Sequence, residues 1–177
     1  MNQELRRSTC LIQHTPMNRL RRAKGVVPLR GKTRSGAGGF QILMAQILYI
    51  TNILIDFGVL AQLPAECERA GIRRPLIVTD AGVKAVGLLD KALAALPGWQ
   101  PAVFDQTPSN PTEAAVRAAV DVYRREGCDG LIAVGGGSSI DLAKGVAIAA
   151  THPGPLATYA TIEGGSPKIT PAVPPLI

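Results

Sequence analysis

The sequence predicts an α/β fold built on a doubly wound, mostly parallel sheet. Three observations lead there. Short apolar runs alternate with stretches of helical period three times in succession between Leu60 and Ala150. The last of those runs, Leu131 to Val134, is unbroken, as strands covered on both faces are. Gly135, Gly136 and Gly137 follow it directly and lead into a helix. In sheets of this kind the crossovers are right-handed and ligands bind at the carboxyl ends of the strands.

Taken in order, the β-branched run ILYITNILI fits a strand. The wider stretch Phe40 to Ile55 is interrupted by Gln41, Gln46, Thr51 and Asn52, so it lacks the 18 or so apolar residues of a membrane span. Pro64 in a first turn and Gly71 as a stop bracket the short helix PAECERAG. Leu76 to Thr79 is a strand. Val83 to Leu96 is one helix, with Val86, Leu89, Leu93 and Leu96 on its apolar face. Ala102 to Phe104 is a strand. Asn110 is the expected N-cap of the next helix, with Pro111 in its first position and Glu113 in the reciprocal capping place. Val116, Ala119, Val120 and Tyr123 form the buried stripe of that helix, and Gly127 ends it. Residues 151–177 hold six prolines and three glycines, too many for much helix.

The segment LIAVGGGSSIDLAKGVAIAA carries the chemistry. A strand, a bare glycine turn and a helix start aim backbone N–H groups and the positive end of a helix dipole at one point, which suits a phosphate. The alternative is a turn whose glycines only let strand and helix pack closely. Ser138 opens the helix, and Asp141 three residues on completes a capping-box pattern. Ile140 stands where GxGxxG would need its last glycine, and no GK[ST] follows. Upstream, GVVPLRGKT has five residues where a P-loop needs four, and no apolar strand precedes it.

GGGSSIDLAK resembles the GGGSxxDxAK signature of the iron-containing alcohol dehydrogenase family. The resemblance continues through LIVTD ending at Asp80, the PSNPT segment ending at Thr112, and REGCDGLIAV, and runs from about Ile47 to the C-terminus. It implies a Rossmann-like NAD-binding domain, with Gly136, Gly137, Ser138, Ser139 and Ile140 at the pyrophosphate and Asn110 near the adenine side. Thr158, Thr161 and Glu163 fall, on a looser match, where the family's loop approaches the cofactor. Asp80 is placed to accept both hydroxyls of the adenosine ribose and to repel a 2′-phosphate, favouring NAD over NADP. As a strand-end aspartate it is equally placed to cap the following helix. Lys144 lies one turn into the helix, either neutralising the pyrophosphate or solvated.

The family holds Fe²⁺ or Zn²⁺ with an Asp and three His in a C-terminal all-helical domain. This chain has two histidines, His14 in the N-terminal arm and His152 in an HPG turn, and none of that set. The resemblance therefore implies the cofactor-binding half of a cytoplasmic, homodimeric enzyme that interconverts a small alcohol and its aldehyde or ketone. The expected division is a disordered basic extension over 1–43, an NAD-binding domain over 44–150, and a segment over 151–177 leading toward the rest of the family's fold. The alternatives are a non-enzymatic NAD-binding module, or an enzyme of the maleylacetate reductase or dehydroquinate synthase type.

Charge and cysteines bound the other classes. Of the Lys and Arg, nine lie in residues 1–43 against Glu4 alone, whereas residues 44–177 carry ten basic and twelve acidic side chains. The net charge of +6 therefore belongs to the arm, and the domain offers no basic face to nucleic acid. Cys10, Cys67 and Cys128 form no CxxC pair, as expected of reduced thiols in the cytoplasm.

Overall fold

The computed structural model describes residues 9–14 and 51–177. Strands β1 (Thr9–His14) and β2 (Thr51–Asp56) pair antiparallel, from Thr9 opposite Asp56 to His14 opposite Thr51. Thr9–His14, which lie in the arm expected to be disordered over 1–43, form β1. A short apolar centre, Cys-Leu-Ile, finds in β2 a partner for its backbone hydrogen bonds. The rest of the arm, with the P-loop-like GVVPLRGKT, and residues 47–50 of the strand expected over ILYITNILI lie outside the described residues.

A turn of 3₁₀ helix leads into α1 (Leu63–Ala70), which has proline in its first turn and stops at Gly71 with φ +78°. Next come β3 (Pro75–Val78), α2 (Ala81–Ala85), α3 (Leu88–Ala94), β4 (Ala102–Phe104), α4 (Glu113–Arg125), β5 (Gly130–Ala133) and α5 (Gly137–Thr151). The helix expected over Val83 to Leu96 is two helices. Gly87 adopts φ +73° between them, a left-handed residue that ends one helix and starts the next. The break leaves Val86 on the surface, while Leu89 and Leu96 stay buried.

The second sheet runs β4-β3-β5, all parallel, and its strands share their side chains between two cores. Leu76 and Val78 of β3 and Leu131 of β5 pack with Val116, Ala119 and Val120 of α4 and Leu142 and Val146 of α5. Ile77 and Ile132 face the other way, onto Leu63 and Cys67 of α1 and Leu89 of α3. Helices therefore cover both faces, as a doubly wound sheet requires. Burial pushes the Cys67 thiol up to about 12 and the Cys128 thiol to about 11, so both are small core groups and poor nucleophiles at neutral pH. The C-terminus extends the sheet: Leu131 donates its N–H to the Pro175 carbonyl, and Ile177 donates to Leu131, in parallel. Among the described residues no helix is long and apolar enough to cross a membrane.

Gly145 shows how closely α4 and α5 approach. A Cβ there would stand 2.8 Å from Cγ2 of the buried Val116. Replacing a mid-helix glycine ordinarily gains about 0.5–1 kcal/mol, and overpacking costs about 1–3 kcal/mol. Because Val116 is stiff and enclosed, overpacking wins, and Gly145→Leu is expected to lower the melting temperature in a thermal melt.

Residues 151–177 hold three short 3₁₀ turns, and His152 ties them down. Its ring is buried and meets Tyr159 edge-on at 5.3 Å. Nε2 accepts the Thr170 N–H at 2.8 Å, which leaves the ring proton on Nδ1, 2.8 Å from the Thr151 hydroxyl and 3.2 Å from the Ile148 carbonyl. His152→Ala strands the Thr170 N–H and opens a void, a loss expected at about 2–4 kcal/mol. A thermal melt measures it, and faster amide exchange at Thr170 locates it.

Candidate functional site

The chain steps outward from β3 to β4, then returns across β3 to β5. The winding reverses between β3 and β5, and the carboxyl ends of strands at such a reversal are the usual ligand position in these sheets. Thr79 locks the strand ends together. Its hydroxyl donates to the Val134 carbonyl at 2.7 Å, and the Val134 N–H donates to the Val78 carbonyl at 2.9 Å.

From β5 the chain enters the glycine turn. Gly135 alone of the three glycines has a positive φ, at +148°. Gly136 is extended and Gly137 begins α5, whose first turn has no side-chain cap. Helix geometry leaves the first N–H groups of α5 without intrahelical partners. A Cβ on either Gly136 or Gly137 would meet nothing within 4 Å. The helix start is therefore bare, uncapped and open, with the positive end of a 15-residue helix behind it.

The capping box expected from Ser138 and Asp141 is absent. Asp141 pairs with Lys144 at 3.1 Å, one turn along the exposed face, which places both on the solvated side. The Ser138 hydroxyl reaches out of the helix and donates to the Ser109 carbonyl at 2.6 Å. That contact latches the loop after β4 to the helix start. Asn110, next along the loop, is exposed and does not cap α4. Thr112 does, its hydroxyl accepting the Ala115 N–H at 3.2 Å from the extended conformation that caps adopt. Ile140 donates its N–H to the Gly136 carbonyl and is half-buried.

Asp80 leaves the end of β3 facing the turn. One carboxylate oxygen accepts the Val83 N–H at 2.8 Å, capping α2, and the other lies 3.3 Å from the hydroxyl of Ser139, a fully buried side chain. The half-buried carboxylate keeps lone pairs for a ligand, so capping and ligand reading are compatible. Lys84 pairs with Asp105 and pins α2 to the exit of β4, and this bond holds the Asp105 carboxyl below the usual carboxylate range. Thr107 was not singled out by sequence. Its hydroxyl is buried without a partner, where its own N–H donates to the Thr79 carbonyl. Burial of that hydroxyl has no signal in sequence.

Thr158 and Thr161 stand on the turns beyond α5. Thr158 donates its N–H to Pro155, and Thr161 meets the Ser166 hydroxyl at 2.9 Å. Glu163 lies on the same turn as Thr161. The hydrogen bonds of the two threonines join them to their own segment, and none joins them to Asp80 or the glycine turn.

Residues 51–177 match the model of the iron-containing alcohol dehydrogenases. The chain belongs to that family. Similar to it is the 4-hydroxybutyrate dehydrogenase of Cupriavidus necator, 65% identical over 134 residues that make up 76% of this chain and 35% of the relative. Among solved structures, a 1,3-propanediol oxidoreductase superposes with a TM-score of 0.56 at 41% identity, over 58% of this chain and 28% of the other. NADH-dependent butanol dehydrogenase A of Thermotoga maritima superposes with a TM-score of 0.54 at 30% identity, over 58% and 26%. The chain thus spans about a third of the length of the curated relative and less of the two solved chains.

Iron-containing alcohol dehydrogenases imply a dinucleotide and a metal, and the described residues fit them unequally. The open space over Gly136 and Gly137 and the uncapped start of α5 suit a dinucleotide. No group of three or more His, Cys, Asp or Glu among the described residues is placed to hold a metal ion.

Proposed function

We propose that this chain is the NAD-binding half of an oxidoreductase that interconverts a small alcohol and its aldehyde or ketone. The observation that carries the reading is the bare, uncapped start of α5 beside Asp80, at the carboxyl ends of β3 and β5. The N–H groups at Gly137 and Ser138 would hold the pyrophosphate, with the helix dipole offsetting its charge. Asp80 would accept the adenosine ribose hydroxyls and repel a 2′-phosphate. Ser138, through Ser109, sets how far the loop bearing Asn110 stands from the helix. NAD supplies the hydride acceptor when bound. No chemical step is assigned to a metal on these residues.

The substrate class rests on the relatives, which are named for 4-hydroxybutyrate, 1,3-propanediol and butanol. A cytoplasmic, homodimeric enzyme is the setting that goes with this reading. Thr158 and Thr161 belong to it only if the loop that bears them swings toward the cofactor.

Calorimetric titration of the chain with NAD and NADP tests the proposal. Asp80→Asn keeps an oxygen to cap α2 but removes the charge. A charge-assisted hydrogen bond contributes about 1.5–3 kcal/mol, so NAD should bind at least tenfold more weakly and the preference over NADP should shrink. Unchanged affinities for both cofactors would reduce Asp80 to a cap.

A further inference from the structure

We infer that Ser139 is a positioning residue that couples the glycine turn to the carboxylate of Asp80, and so sets the preference between NAD and NADP. The inference rests on the NAD reading and assigns Ser139 a role without cofactor contact. Ser139, which the resemblance places at the pyrophosphate, has a fully buried side chain, and the role inferred for that side chain is toward Asp80. Its hydroxyl lies 3.3 Å from Asp80 Oδ2, across the reversal point of the sheet. The other oxygen of Asp80 is fixed by the Val83 N–H at 2.8 Å, so the two contacts together set the plane of the carboxylate.

Gly135 makes the arrangement possible. A Cβ there would stand 2.6 Å from Ser139 Oγ and 3.1 Å from Ser139 Cβ, so the bare Cα of the turn leaves the space that the hydroxyl fills. The residue that shapes the phosphate turn and the residue that reads the ribose thus meet on one hydroxyl. Without that donor, Asp80 keeps its cap to Val83 but can turn about it. A carboxylate that turns loses the fixed geometry needed to accept two adjacent ribose hydroxyls.

The test is a double-mutant cycle on the full chain, with Ser139→Ala and Asp80→Asn alone and together, titrated with NAD and NADP and melted in parallel. Ser139→Ala should weaken NAD about fivefold, more than it weakens NADP. In the Asp80→Asn background the same change should alter NAD affinity less than about twofold. A purely structural serine would shift melting without shifting the cofactor ratio. Should Ser139→Ala fail to fold, Ser139→Cys keeps the volume with a much weaker donor and is expected to give the same pattern. Equal losses in both backgrounds, or no loss in the parent background, overturn the inference while leaving NAD binding intact. A parent chain that does not bind NAD overturns the NAD reading and this inference with it.

Discussion

Gly137→Val is expected to fold and melt like its parent and to lose NAD binding by about a hundredfold or more. The two halves of that expectation have separate causes. A Cβ at Gly137 meets nothing within 4 Å, and the residue lies in a regular helix, so the protein itself has room for the side chain. Valine is also a better helix residue than glycine. The branched carbons would, however, occupy the space in front of the free N–H groups of α5, where a pyrophosphate must approach to about 3 Å. A loss of about 3 kcal/mol in binding is a hundredfold in affinity. Calorimetry and a thermal melt on one sample separate the effects. A variant that melts early but binds NAD would return the glycines to a role in close packing.

Two residues earlier the same kind of change should have the opposite character. Gly135→Ala is expected to cost about 2–5 kcal/mol of stability, the sum of backbone strain at positive φ and overpacking. Gly135 sits at φ +148°, where L side chains are rarely found, and its Cβ would collide with Ser139 Oγ at 2.6 Å and crowd Val83 Cγ2 at 3.3 Å. For a chain of this size that corresponds to a fall in melting temperature of about 5–15 °C. A Gly135→Ala protein that melts with its parent would mean that the turn is not shaped as described. Two glycines of one motif thus serve different ends, conformation at Gly135 and access at Gly137.

That division was not legible in the sequence, where the three glycines are interchangeable letters. Legible were the features that repeat along the chain. The apolar run at Leu131 predicts a strand covered on both faces, and Leu131 and Ile132 indeed face opposite cores. Gly71 and Gly127 end helices where their positions suggest. Choices between equivalent partners were not legible. Asn110 and Thr112 are both good caps, and the extended backbone of Thr112 decides. Asp141 has a capping offset from Ser138 but lies within reach of Lys144. Gly87 looks tolerable inside a helical period, yet its left-handed conformation splits that helix. The tie from His152 to Thr170 depends on a return of the chain over 18 residues, which no local pattern encodes.

The central claim is that a dinucleotide sits with its pyrophosphate on the open start of α5, between that helix and Asp80. Backbone amide resonances followed by NMR during an NAD titration test it most directly, because they report the place of binding as well as its strength. The predicted result is saturable shifts concentrated at Gly136, Gly137, Ser138 and Asp80, weaker with NADP and abolished in Gly137→Val. Saturable binding whose shifts fall elsewhere, with those four amides unmoved, would contradict the account.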